Sequence, residues 1–78
     1  MRKPRSKPEH LAAKLLALRQ QLGLSQPKLA KLLEYDPTRI SEFERGRREP
    51  NLMLLLQYAR LAEVPVENLI DDNLDLPL

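Results

Sequence analysis

Apolar positions recur with helical spacing along most of the chain. Over residues 9–22, Leu11, Leu15, Leu18 and Leu22 fall at intervals of four, three and four, a single stripe on a helix, and Gly23 is placed to end it. The next stretch, LSQPKLAKLLEYDPTRISEFERGRR over 24–48, reads as two short helices. Ser25 is a good N-cap, Gln26 and Pro27 suit a first turn, and Leu29, Ala30 and Leu33 share a face, which predicts a helix ending near Leu33. After a tight turn, Asp36 can cap a third helix with Pro37 in its first position. Ile40 and Phe43 point inward there, and Gly46 supplies a left-handed stop. Asn51 caps a fourth helix over 52–62, and 64–70 reads as a turn followed by a short fifth helix.

Two short capped helices joined by a three- or four-residue turn make a helix-turn-helix, whose second helix can present its outward side chains to the DNA major groove. The fourth helix carries a wide apolar arc. Leu52, Leu55, Leu56, Ala59 and Ala62 share one side, and Leu54, Tyr58 and Leu61 form a second stripe beside it. Either the last helix covers that second stripe or a protein partner does.

Seventy-eight residues without a cysteine make one small domain that depends on its aliphatic core, with no disulfide or zinc cluster to staple it. The longest apolar run, 52–56, falls far short of the roughly 20 residues that span a bilayer. The N-terminus lacks the apolar segment of a signal peptide. A soluble, cytoplasmic protein is expected.

The net charge of +2 conceals a gradient. Residues 1–22 hold six basic residues against one acidic (+5), 23–50 six against five (+1), and 51–78 one against five (−4). A basic front and an acidic rear suit a molecule that turns one side toward a polyanion. Residues 1–8, MRKPRSKP, combine four basic residues with two prolines and read as a mobile arm, lying along phosphates, entering a minor groove or simply solvated. Residues 9–70 form the domain, and 71–78, DDNLDLPL, an acidic tail. Its Leu74, Leu76 and Leu78 can dock on the domain, on a second copy or on another protein.

Nothing supports catalysis. His10 is the only histidine and has no partner at metal-ligand spacing; no nucleophile is paired with a base, and both glycines sit at helix ends rather than in a phosphate loop. The chain is expected not to be an enzyme and to need no metal or other cofactor.

The segments LRQQLGLSQPKLAKLL, ISEFERGRREPNL and LLQYARLAEVPVENLI together resemble the phage-repressor and Cro-like (XRE-like) helix-turn-helix family over roughly residues 11–70. The resemblance implies an all-α, compact five-helix lambda-repressor-like domain. It places Leu29, Ala30, Leu33, Tyr35, Ile40 and Phe43 at core positions, and Arg19 and Glu44 as an ion pair joining the first and third helices. Gln26 matches a residue that meets a phosphate, and Pro37, Thr38, Arg39 and Glu42 match positions facing bases or the adjoining phosphates. Glu34 and Glu63 stand where the family commonly has a turn glycine, so each turn must take positive φ or another geometry. Pro37 can offer only apolar contact, and Glu42 would repel phosphate unless it faces a cytosine amine.

The expected function is that of a sequence-specific regulator of transcription that binds double-stranded DNA. Thr38, Arg39 and Glu42, on one face of the third helix, and Pro37 at its start are the candidates for reading bases. Gln26, Lys28, Arg45, Arg47 and Arg48 are the candidates for gripping the backbone. A two-fold site spaces its two recognition helices about 34 Å apart, which a homodimer achieves through a self-complementary patch. Leu54, Tyr58, Leu61, Leu69, Ile70 and Leu74 are the candidates for that patch. The alternative is a helix-turn-helix module for protein binding, antitoxin-like or bridging, that uses the same C-terminal half.

Overall fold

The computed structural model describes residues 9–77, and its helices are α1 Leu11–Gln21, α2 Gln26–Leu33, α3 Pro37–Glu44, α4 Leu52–Ala62 and α5 Glu67–Ile70. The basic arm, 1–8, and Leu78 lie outside the described residues. Three helices start on the caps that the sequence offers. Ser25 Oγ accepts from the Lys28 N–H at 3.2 Å, Asp36 Oδ1 from Thr38 at 2.9 Å and Asn51 Oδ1 from Leu54 at 2.8 Å. Proline in the first turn of α2 and α3 removes an N–H that would otherwise lack a partner.

Helix α1 begins at Leu11 rather than at Glu9, and its cap comes from the far end of the chain. The Asp72 carboxylate accepts from the N–H groups of Glu9 (2.8 Å) and His10 (3.1 Å), and these two bonds hold its pKa below the ordinary carboxylate value. One turn on, the buried Lys14 ammonium donates to the carbonyls of Asn68 (2.7 Å), Asp71 (3.0 Å) and Leu74 (2.7 Å). All three of its N–H donors are thereby used. Asn68 Nδ2 donates to the Asp75 carbonyl, and Leu76 packs against the core. Of the three destinations open to the tail, residues 71–76 therefore take the domain itself.

Four helices end in the same way. In each, the N–H of the second or third residue past the helix reaches back to a carbonyl five residues earlier: Leu24 to Arg19, Tyr35 to Ala30, Arg47 to Glu42 and Val64 to Ala59, at 2.8–3.2 Å. The geometry requires a left-handed residue at the turn. Gly23 (φ 70°) and Gly46 (φ 75°) adopt it freely, whereas Glu34 (φ 54°) and Glu63 (φ 58°) take it at a steric cost.

The core draws Leu11, Leu15 and Leu18 from α1 onto the faces of α2 and α3 that carry Leu29, Ala30, Leu33, Ile40 and Phe43. Leu69 of α5 is fully buried beside them. Each large aliphatic side chain removed from water in this way stabilises the fold by about 1.5–3 kcal/mol. Three expectations need correction. Tyr35 sits at the rim, 39% exposed, with its ring centroid 5.8 Å from that of Phe43, because it lies in the turn beyond the buried face of α2. Leu22, last of the α1 stripe, falls outside the helix and is half-exposed. On α4 the core face is Leu54, Leu55, Tyr58 and Ala59, and Leu52, in the first turn, is 78% exposed.

That last point also removes three residues from the expected partner surface. Leu54, Tyr58 and Leu69 are at most 3% exposed because the domain's own helices cover them. Leu61 is partly buried against the core, while Ile70 and Leu74 remain on the surface.

Candidate nucleic-acid interface

Helices α2 and α3 pack directly on one another through their apolar faces, which leaves the opposite side of α3 in solvent. Pro37 and Thr38 are exposed in its first turn, and Arg39 and Glu42, three apart and partly exposed, follow them. Glu42 Oε1 accepts from Arg39 Nη1 at 3.2 Å and from Arg48 Nε at 2.9 Å. One carboxylate oxygen thus serves two guanidiniums, one on its own helix and one on the loop beyond.

Arg48 reaches Glu42 because the turn at Gly46 folds the chain back, with the Arg47 N–H on the Glu42 carbonyl at 2.9 Å. A partner six residues away lies beyond the helical neighbours at three and four, so helix periodicity alone does not reveal it. Arg45 and Arg47 are exposed on the same turn, and among the described residues their side chains have no partner. With Arg39 and Arg48, which share the Glu42 carboxylate, they place four arginines on and just beyond α3. The surface at the C-terminal end of α3 is accordingly positive.

The placement of α3 is fixed from behind. Arg19 Nε donates to Glu44 Oε2 at 2.7 Å and Nη2 to Oε1 at 3.1 Å, while Nη1 holds the Leu24 carbonyl at 2.9 Å. The Glu44 carboxylate also accepts from Gln26 Nε2 at 3.0 Å, so the side chain that opens α2 is oriented by the residue that closes α3. Hydrogen bonding to Glu44 raises the Arg19 pKa beyond its already high ordinary value, the cost of burial notwithstanding. Lys28, exposed on α2, borders a shallow apolar hollow with Leu24, Lys31 and Leu32.

The structure therefore brings Thr38, Arg39 and Glu42 onto one side of α3, with Pro37 at its N-terminal end and Arg45, Arg47 and Arg48 beyond its C-terminal end. The contacts of Gln26 with Glu44 and of Arg48 with Glu42 went unforeseen. Among the described residues no group of three or more His, Asp or Glu side chains could hold a metal ion, and no helix is long and apolar enough to cross a membrane.

Comparison with known proteins gives the arrangement a context. A family model described as a helix-turn-helix domain matches residues 10–71. Among solved structures, the chain is similar to the P22 c2 repressor protein in complex with a synthetic operator, with 26% identity, a TM-score of 0.74, and 80% of this chain and 94% of that one covered. It is similar also to the restriction-modification controller protein C.AhdI from Aeromonas hydrophila, with 32% identity, a TM-score of 0.69 and coverage of 77% and 91%. The clp gene regulator ClgR from C. glutamicum aligns with 29% identity, a TM-score of 0.70 and coverage of 85% and 86%. No curated protein matches the chain.

Proposed function

The chain belongs to the helix-turn-helix domain family, and from that premise we propose that it is a transcription regulator that binds double-stranded DNA sequence-specifically, as a homodimer with α3 in the major groove. The observation that carries the reading is the outward face of α3. Exposed Thr38 and partly exposed Arg39 and Glu42 stand there beside three further arginines, Arg45, Arg47 and Arg48, on a helix anchored by the Arg19–Glu44 pair. The similar P22 c2 repressor is itself described in complex with an operator, which supports the same use of the fold here.

The side chains divide into two groups. Arg39 can pair with guanine O6 and N7, Thr38 can touch a thymine methyl, Glu42 can accept from a cytosine amine, and Pro37 adds apolar contact. Gln26 and Lys28 on α2 and Arg45, Arg47 and Arg48 after α3 flank this face, where they can grip phosphates. The homodimer is formed by Leu61, Ile70 and Leu74, the partner-surface candidates that the domain does not bury. The protein acts in the cytoplasm, without catalysis and without a cofactor.

Selection from random duplexes, followed by sequencing and by gel shifts across salt concentrations, tests this reading. A recovered two-fold motif, bound with a steep salt dependence, is expected. Failure to bind any duplex would favour protein binding as the main task.

A further inference from the structure

We infer that Glu42 is an electrostatic restraint on the DNA-facing surface: it holds Arg39 and Arg48 in the free protein and yields them only to a site that offers each group a replacement partner. The inference rests on the DNA-binding reading above and concerns how that surface rejects wrong sequences.

The geometry separates two kinds of cation. Arg45 and Arg47 have no side-chain partner among the described residues and are free to meet phosphates on any duplex. Arg39 and Arg48 are tied to the same oxygen of Glu42, at 3.2 and 2.9 Å, and Glu42 is 29% exposed, sheltered enough that the contacts are only partly screened. For Arg48 to grip a phosphate it must leave that carboxylate, and the phosphate must then approach a negative charge stripped of its partner. On an arbitrary sequence neither loss is made good.

A suitable site reverses both losses. Guanine presents two acceptors to Arg39 in the major groove, and a neighbouring cytosine presents an amine to the Glu42 carboxylate, so each group exchanges one partner for another. Arg48 is then released to the backbone. Discrimination arises from the cost imposed on wrong sites as much as from contacts at the right one. The site so selected carries guanine and cytosine at adjacent positions under Arg39 and Glu42.

Glu42→Gln, which keeps the size of the side chain and removes its charge, tests the restraint on selected and scrambled duplexes across salt. Affinity for the scrambled duplex should rise about tenfold at low salt, and the salt slope should steepen by about one to two units as one or both arginines join the phosphate contacts. The ratio of selected to scrambled affinity should fall. Arg48→Gln should change scrambled-duplex affinity little in the wild-type protein and several-fold in the Glu42→Gln background. Unchanged affinity and slope on the scrambled duplex would overturn the restraint while leaving DNA binding intact. A loss confined to the selected duplex would make Glu42 a base contact only and overturn it equally. Absence of salt-dependent binding by the wild-type protein would instead remove the functional reading, and the restraint with it.

Discussion

Arg19 on α1 and Glu44 at the end of α3 meet through two parallel hydrogen bonds, at 2.7 and 3.1 Å, with only 16% and 4% of their side chains exposed. A planar fork on a carboxylate fixes both distance and angle, so the pair sets the orientation of α3 relative to α1. Gln26 shares the same carboxylate, which ties the start of α2 into the arrangement. Arg19→Met would leave Glu44 sheltered and short of its main donor. It should lower unfolding free energy by about 3 kcal/mol in urea titrations at neutral pH. A loss below about 1 kcal/mol, the value of an exposed pair, would mean that the contact does not hold the helix.

The two left-handed glutamates should be improvable. Glu34→Gly and Glu63→Gly relieve a Cβ clash at φ 54° and 58° but loosen the unfolded chain, so the net gain is about 0.5–1 kcal/mol each. Thermal melts should move up by roughly 3–6 °C per substitution. Neither glutamate is a candidate for DNA contact, and binding should be unaffected.

Tyr58 gives the fold an alkaline limit. Its hydroxyl is buried without a hydrogen-bond partner; burial, reinforced by the charge of Glu44 and opposed by that of Arg19, pushes its pKa well above the ordinary 10.0. The folded protein therefore keeps the proton where the unfolded chain gives it up. The contribution of Tyr58 to stability is constant below pH 10 and falls as pH rises beyond it, on the order of 1 kcal/mol for the first unit. Tyr58→Phe should flatten that decline. At neutral pH it should leave the protein unchanged or about 1 kcal/mol more stable, because a hydroxyl with no partner is removed. Urea midpoints at pH 8 and 11 for both proteins decide the matter.

Local chemistry made most of the fold legible. Ser25, Asp36 and Asn51 cap the helices that they introduce in the sequence, and α2 and α4 span their expected residues, because capping and the first turn involve only neighbours. What escaped depends on distant parts of the chain. The Lys14 ammonium satisfies carbonyls 54 to 60 residues away, and Asp72 caps a helix 62 residues before it. On α4 a helical wheel gives the width of the apolar arc but not which half meets the core, and so Leu54 and Tyr58 were expected at a partner surface. The outward residues of α3 were visible from their spacing alone, whereas the tie from Arg48 to Glu42 depends on the loop returning at Gly46.

Self-association should respond to the surface residues and not through the core. Ile70→Glu and Leu61→Glu, made singly, should weaken dimers in sedimentation equilibrium and lower affinity for a two-fold site, with the helical circular dichroism retained. Leu69→Glu should instead unfold the domain, since Leu69 is fully buried. Unchanged association and affinity in both surface variants would place the interface elsewhere.

The division of labour on α3 is tested most directly by measuring Arg39→Ala and Arg47→Ala on selected and scrambled duplexes across salt concentrations. Arg47→Ala should weaken both duplexes alike and reduce the salt slope by about one unit, as the loss of a phosphate contact requires. Arg39→Ala should cost about 1–3 kcal/mol on the selected duplex alone. Equal losses on both duplexes for Arg39→Ala would contradict the account, reassigning Arg39 to the backbone and leaving α3 without its main reader of sequence.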